Sequence, residues 1–153
     1  MRLEVLDTTR PGEDPDSLDA VQLAWLDTEL SSGPDVPTLI TMHHPPIPTA
    51  VPAWAEAALD PNDRAPLAEV VTRHPQACRL VAGHMHRTII GELAGRVVVT
   101  VRSTDVQARL AFTVEIKLAA EPPIFAVHAV VNGDIVTHLQ PITHSRSDGG
   151  PDP

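Results

Sequence analysis

Two short stretches, Met42-His43-His44-Pro45-Pro46 and Ala82-Gly83-His84-Met85-His86, hold four of the chain's eight histidines. Imidazole is a common ligand of divalent transition metals, so paired histidine motifs raise the question of a metal centre. Each stretch ends a short apolar run of strand length. Binding sites in open α/β sheets gather at the carboxyl ends of strands, which would bring the two motifs to one place. In extended backbone, residues i and i+2 project to the same side, so His84 and His86 would share a cavity while Met85 faces away. Gly83 would let the chain turn and approach a ligand without interference from a Cβ. Pro45 and Pro46 would stiffen the other loop, with Pro45 biasing His44 toward extended backbone. The expectation is that His43, His84 and His86 converge as three nitrogen ligands.

A single histidine beside a strand is more often a surface or core residue, and the remaining ones read that way. His74, before Pro75, reads as the C-terminal cap of a helix, where it meets the helix dipole. His128 and His138 lie inside strand-like runs, and none of these three is expected to bind metal. Asp105 reads as part of a solvated turn. Trp25 and Trp54 read as packing residues, with Trp54 also placed to border a substrate pocket. No serine or cysteine nucleophile motif occurs, so no catalytic residue is assigned beyond the metal ligands.

The elements that must position these groups follow from the apolar spacing. Leu3 to Thr8 alternates as a strand and runs into a Pro/Gly/Asp loop. Ser17 or Asp19 would cap a helix from Leu18 to Leu30, with Leu18, Val21, Leu26 and Leu30 on its apolar face. Pro37 to Met42 is the next strand, ending at the first histidine pair. Asn62 or Asp63 would cap a second helix through Arg73, with Leu67, Val70 and Val71 inward. Leu80 to Ala82 is a third strand, ending at the second motif. Thr88 to Leu93 and Arg96 to Val101 flank an Ala94-Gly95 hairpin. Further strands are expected at Arg109 to Leu118, Ile124 to Val131 and, after an Asn132-Gly133 turn, Ile135 to Leu139. The order is strand–helix–strand–helix–strand followed by antiparallel strands: an α/β chain with mixed sheets. One domain over 1–143 and a disordered tail over 144–153 are expected.

At 153 residues, 42% of them apolar, the chain is long enough to bury roughly 70% of its extended surface. A net charge of −9 argues against nucleic acid or an anionic membrane as partner. With Cys78 the only cysteine there is no internal disulfide, and no run of about 20 apolar residues occurs. The reading is cytoplasmic.

His43-His44-Pro45-Pro46, followed about forty residues later by Gly83-His84-Met85-His86, resembles the calcineurin-like metallophosphoesterase superfamily. Within it the nearest branch is the bacterial cyclic-nucleotide and glycerophosphodiester phosphodiesterases. Gln22-Leu23-Ala24-Trp25-Leu26, Arg102-Ser103-Thr104, Glu121-Pro122-Pro123 and Val136-Thr137-His138-Leu139 strengthen the likeness, which runs from about Leu3 to Ile142. The resemblance implies the C-terminal half of a four-layer α/β/β/α sandwich. It implies two divalent ions (Mn, Fe or Zn), with His43 and His84 on one, His86 on the other, and His44 a neighbour that contacts substrate. The family's N-terminal motifs, Asp-x-His, then Gly-Asp with a downstream Asp, then Gly-Asn-His, do not occur ahead of the histidine motifs in this sequence. The expectation is therefore an N-terminally truncated, dinuclear phosphodiesterase with a small phosphoester as its partner, holding at most one ion weakly and inactive alone. An uncovered apolar sheet would favour a homodimer. The alternative is a non-catalytic remnant that serves as an interaction module.

Overall fold

The computed structural model describes residues 1–9 and 17–142. The expected tail from 144 onward lies outside the described residues. The chain opens with β1 (Arg2–Leu6), α1 (Ala20–Ser31), β2 (Thr38–Met42), α2 (Pro61–Arg73) and β3 (Ala77–Ala82). A hairpin of β4 (Ile89–Leu93) and β5 (Arg96–Thr100) follows. These strands form one five-stranded sheet in the order β1-β2-β3-β5-β4. The first three strands and β5 run parallel, and β4 closes the edge antiparallel. The fold is thus α/β with a mixed sheet.

Period-two alternation decides which face is covered. Glu4, Ile40, Leu80 and Val98 are register partners, as are Leu6, Met42, Ala82 and Thr100. These rows face the helices, where Leu26 and Leu30 of α1 and Leu67, Val70 and Val71 of α2 join the same buried cluster. Each fully buried aliphatic side chain there contributes roughly 1.5–3 kcal/mol of transfer free energy. The opposite rows begin at the edge with Leu3 and Val5, which are 55% and 63% exposed. Further along, the hairpin of β8 (Ile124–Val131) and β9 (Asp134–Pro141) approaches this second face, and the Arg79 guanidinium donates to the Thr137 hydroxyl.

The helix starts differ from expectation by two or three residues. Asp19 caps α1, its carboxylate accepting from the Gln22 amide at 2.8 Å. Asp60, rather than Asn62 or Asp63, caps α2. Pro61 occupies the first helical position, where a missing N–H costs nothing, so the residue before it becomes the cap. Asp63 instead accepts from the Leu18 amide at 2.9 Å and so ties the two helix starts together. Val21, assigned to the apolar face of α1, is 76% exposed, and Trp25 is 41% exposed. The face that packs is set by Leu26 and Leu30, with Leu23 packed partly against it.

The long strand expected over Arg109 to Leu118 does not form. Two-residue strands β6 (Gln107–Ala108) and β7 (Leu118–Ala119) bracket it, and Phe112, Val114 and Ile116 between them are exposed. Alternation alone does not supply a pairing partner. The Ala94-Gly95 and Asn132-Gly133 turns form as read, with all four residues at positive φ, which matches the twist of two-residue hairpins.

At the far end of the helices, His74 does end α2, but its partner is a side chain. Its Nε2 lies 2.7 Å from Asp27, and Arg73 reaches the same carboxylate at 3.0 Å. The His74 hydrogen bond, then Arg73, holds the Asp27 carboxyl below its ordinary value of 3.8. A depressed carboxyl contributes stability that is present above the unfolded value and lost as pH falls through the lower folded one. Thermal melts between pH 5 and 3 should therefore show a decline that the Asp27→Asn variant lacks in part. Parallel slopes for the two proteins would contradict the pairing.

Candidate metal centre

The sheet register brings the strand ends together. Leu6 pairs with Met42 and Met42 with Ala82, so the residues that follow leave the same edge side by side. Those residues are Asp7-Thr8, His43-His44 and Gly83-His84. The Gly83 amide donates to the His43 carbonyl at 3.0 Å and fastens the two histidine loops to each other.

Three imidazoles meet there. His43, His44 and His84 offer ligand nitrogens that all lie within 4.8 Å of one another. His43 Nε2 and His84 Nδ1 are 2.8 Å apart, and the rings of His44 and His84 sit 4.5 Å apart, centre to centre. The donor set suits a metal ion. Two nitrogens on one tetrahedral zinc, each bound at about 2.0–2.1 Å, lie about 3.3 Å apart, so a small opening of the His43–His84 pair would admit it. His43 and His84 are exposed, while His44 is buried.

His86 stands outside this trio. Its Nδ1 lies 2.9 Å from the Val106 carbonyl. A carbonyl can only accept, so in the neutral ring the proton sits on Nδ1 and Nε2 carries the lone pair. That is the tautomer in which a backbone carbonyl orients a metal-binding imidazole. The histidines expected to meet at a single point are thus divided: His43 and His84 meet with His44, and His86 is held separately on its own anchor.

The local backbone also departs from the extended picture. His84 and His86 have φ of 63° and 47°, the left-handed region, rather than strand values. Both side chains are exposed and Met85 between them is 2% exposed, so the in/out alternation survives by a different route. Non-glycine residues in that region cost on the order of 1–3 kcal/mol each, and such strain collects at functional sites. Gly83 plays a smaller part than expected. A Cβ there would stand 3.7 Å from His43 Nδ1, an ordinary contact.

Two positioning residues escaped the sequence reading. Thr8, 1% exposed, shares a 2.8 Å hydrogen bond with His44 Nδ1 and accepts from the His44 amide at 3.3 Å. It could have been found by asking what lies past the end of the first strand. Gln22 holds the backbone of Asp7 at both polar groups, accepting from its amide at 2.9 Å and donating to its carbonyl at 2.8 Å. Helix α1 thereby fixes the strand end that carries Thr8. Asp7 itself turns its carboxylate to the Thr9 amide and hydroxyl, at 2.9 and 2.6 Å. Those hydrogen bonds hold its pKa below the ordinary value. Asp105 lies in an exposed bend, as read.

Trp54 is buried and packs with Val51, Met85 and Ala108. It lines a cavity of about 250 Å³ together with His84, His86, Met85, Val106, Ala108 and neighbours. The His128 imidazole lies 2.9 Å from the Thr137 hydroxyl, remote in sequence from both motifs. Burial, then Arg79, pushes its pKa below the ordinary value. No described helix is long and apolar enough to cross a membrane.

No family model matches the chain. It is 40% identical over 70 residues to a 3',5'-cyclic-nucleotide phosphodiesterase of Nostoc, covering 46% of this chain and 26% of that protein. It is 36% identical over 86 residues to a cAMP/cGMP dual specificity phosphodiesterase of Mycobacterium tuberculosis, covering 56% and 26% respectively. It is 30% identical over 103 residues to a glycerophosphodiester phosphodiesterase of Enterobacter lignolyticus, covering 67% and 36%. The chain thus spans between about a quarter and just over a third of the length of these curated relatives. With the strand-end histidines in place, these matches assign the chain to the metallophosphoesterase superfamily, beside its cyclic-nucleotide and glycerophosphodiester phosphodiesterases.

Proposed function

We propose that these residues furnish the histidine side of a dinuclear phosphodiesterase centre. The observation that carries the reading is the meeting of His43, His44 and His84 at adjacent parallel strand ends. His43 and His84 hold one divalent ion, with His44 close beside them and pinned by Thr8. His86 offers Nε2 to the second. When bound, such ions (Mn, Fe or Zn) lower the pKa of a water nucleophile and neutralise charge on the phosphoryl oxygens. The chain's own part is to orient: the Gly83–His43 backbone bond, the Thr8 hydroxyl and the Val106 carbonyl fix the imidazoles before substrate arrives. Met85 and Trp54 form an apolar floor beside them.

Histidines alone do not complete two ion sites, since a bridging carboxylate is what usually holds such a pair together. The cluster of potential ligands among the described residues contains no Asp or Glu. The remaining ligands are proposed to be carboxylates from beyond this histidine cluster, and the substrate is a phosphodiester of the cyclic-nucleotide or glycerophosphodiester kind.

Calorimetry tests this with inorganic phosphate as the probe. Phosphate should bind the purified chain in the presence of Mn²⁺ and fail to bind after chelation. Hydrolysis of bis(p-nitrophenyl) phosphate by the same sample should be close to background. Phosphate binding that ignores the metal, or no binding with metal present, would contradict the phosphoesterase reading. Rapid turnover would contradict the incomplete ligand set.

A further inference from the structure

The sheet edge opposite β4 is built to meet another strand, whatever reaction the metal centre serves. There β1 pairs with β2 on one side, and among the described residues nothing pairs with the other. The Arg2 amide donates to the Pro37 carbonyl at 2.9 Å, so the backbone polar groups of Arg2 and Glu4 point into the sheet. Those of Leu3 and Val5, one residue out of phase, point outward along the open edge. Natural sheet edges are usually blunted by a charge, a proline or a bulge. Leu3 and Val5 are instead apolar and more than half exposed.

One flank of α1 lies along the same edge. Gln22 holds the backbone of Asp7, just past the C-terminal end of β1, and Arg2 at the other end donates to the Glu29 carbonyl. Gln22, Trp25 and Glu29 follow at i, i+3 and i+7, which makes them one stripe of the helix. Asp27, on the other flank, is turned to the end of α2, where it meets Arg73 and His74. Trp25 therefore stands over the open edge of β1, with 41% of its surface exposed.

We infer that this edge pairs with the same edge of a second copy, the two β1 strands running antiparallel about a two-fold axis at Leu3. A two-fold contact uses one patch twice, so the strand must complement itself. In this register it does. Leu3 faces Leu3 and exchanges both backbone hydrogen bonds with it, Val5 faces Met1, and Arg2 faces Glu4 of the second copy. Opposite charges thus meet in the close, non-hydrogen-bonded pairs. The neighbouring registers do worse: an axis at Glu4 sets two carboxylates against each other, and one at Val5 sets Leu3 against Asp7. The two α1 helices run antiparallel across the axis with their Trp25 indoles facing, and indoles are the side chains that most often carry an interface. Both metal centres lie at the C-terminal ends of their own strands, so the pairing leaves them at opposite ends of the joined sheet. A strand edge with one helix flank is a small contact, and two chains of charge −9 repel, so the dimer is weak.

Sedimentation equilibrium of the intact chain between about 5 and 500 µM should show a reversible dimer with a Kd on the order of 100 µM. Leu3→Lys sets two ammonium groups face to face and should remove the dimer over that range. Trp25→Ala should weaken it at least about tenfold. Both side chains are exposed, so the variants should melt with the parent at the lowest concentration. A sample mixing isotope-labelled and unlabelled chains reads the register. It should show a cross-chain NOE between the α protons of Arg2 and Glu4, which lie too far apart within one strand to give it. A monomer at every concentration, a dimer untouched by both substitutions, or a cross-chain contact of Glu4 with Glu4 would each overturn the inference. So would protection of the Leu3 and Val5 amides from exchange in the monomer, since the edge would then be covered by this chain's own residues.

Discussion

Replacing His84 with alanine should weaken binding of Zn²⁺ or Mn²⁺ by about 100-fold or more, the largest loss expected from any single substitution outside the core. His84 is the hub of the cluster: it lies 2.8 Å from His43 and its ring is 4.5 Å from that of His44. Losing a residue that merely supports a ligand usually costs about 10–100-fold, and losing the ligand costs more. His43→Ala should behave alike. Thr8→Val should fall in the milder range, since it removes the hydroxyl that fixes His44 and leaves the three imidazoles in place. His128→Ala should leave affinity unchanged, because that ring belongs to the β8–β9 hairpin and faces Thr137. Isothermal titration of the four variants distinguishes these outcomes. Equal losses at His84 and His128 would show that binding is adventitious.

Leu80→Ala should cost about 2–5 kcal/mol of stability, the range for deleting a buried leucine side chain whose cavity only partly collapses. Leu80 is 0% exposed on a strand paired on both sides, with Ile40 and Val98 as its register partners. It faces the two helices, so its loss opens a gap at the contact that joins sheet to α1 and α2. Against a typical total of about 5–15 kcal/mol, that is a large fraction. For a chain of this size it corresponds to a fall in Tm of roughly 5–20 °C. Val21→Ser, on the exposed side of α1, should stay within about 0.5 kcal/mol of the parent. A Tm for Leu80→Ala within a degree of the parent would contradict the packing described.

What could be read in advance depended on whether a pattern had a single physical meaning. The strands ending at Met42 and Ala82 were legible because a short apolar run bounded by proline or glycine has few alternatives. The Asn132-Gly133 turn was legible because that dipeptide tolerates positive φ at both positions. Val21 was misplaced because a helical stripe one residue wider still fits the spacing, and only the sheet decides which edge it covers. The segment from Arg109 to Leu118 alternates like a strand, yet strand formation needs a hydrogen-bonding partner that no local pattern reveals.

The site shows the same division. Histidines at strand ends were visible from their neighbours, whereas Thr8 and Gln22 act through contacts that exist only once β1 lies beside β2 and α1 packs over it. His84 and His86 were expected to align by the strand pleat. In the folded chain both take left-handed backbone, and their shared outward direction comes from the turn. On sequence His44 was expected to contact substrate rather than join the ligands, and the register draws it into the cluster.

The most direct test is a long-range ¹H–¹⁵N spectrum of the assigned histidine rings during addition of Zn²⁺ to the intact chain. The ring nitrogens of His43 and His84 should shift first, and those of His86 should respond in a second step as further ion is added. His74, His128 and His138 should stay where they are. If zinc instead moves His128 or His138 while His43 and His84 remain unchanged, the strand-end histidines do not form a metal centre.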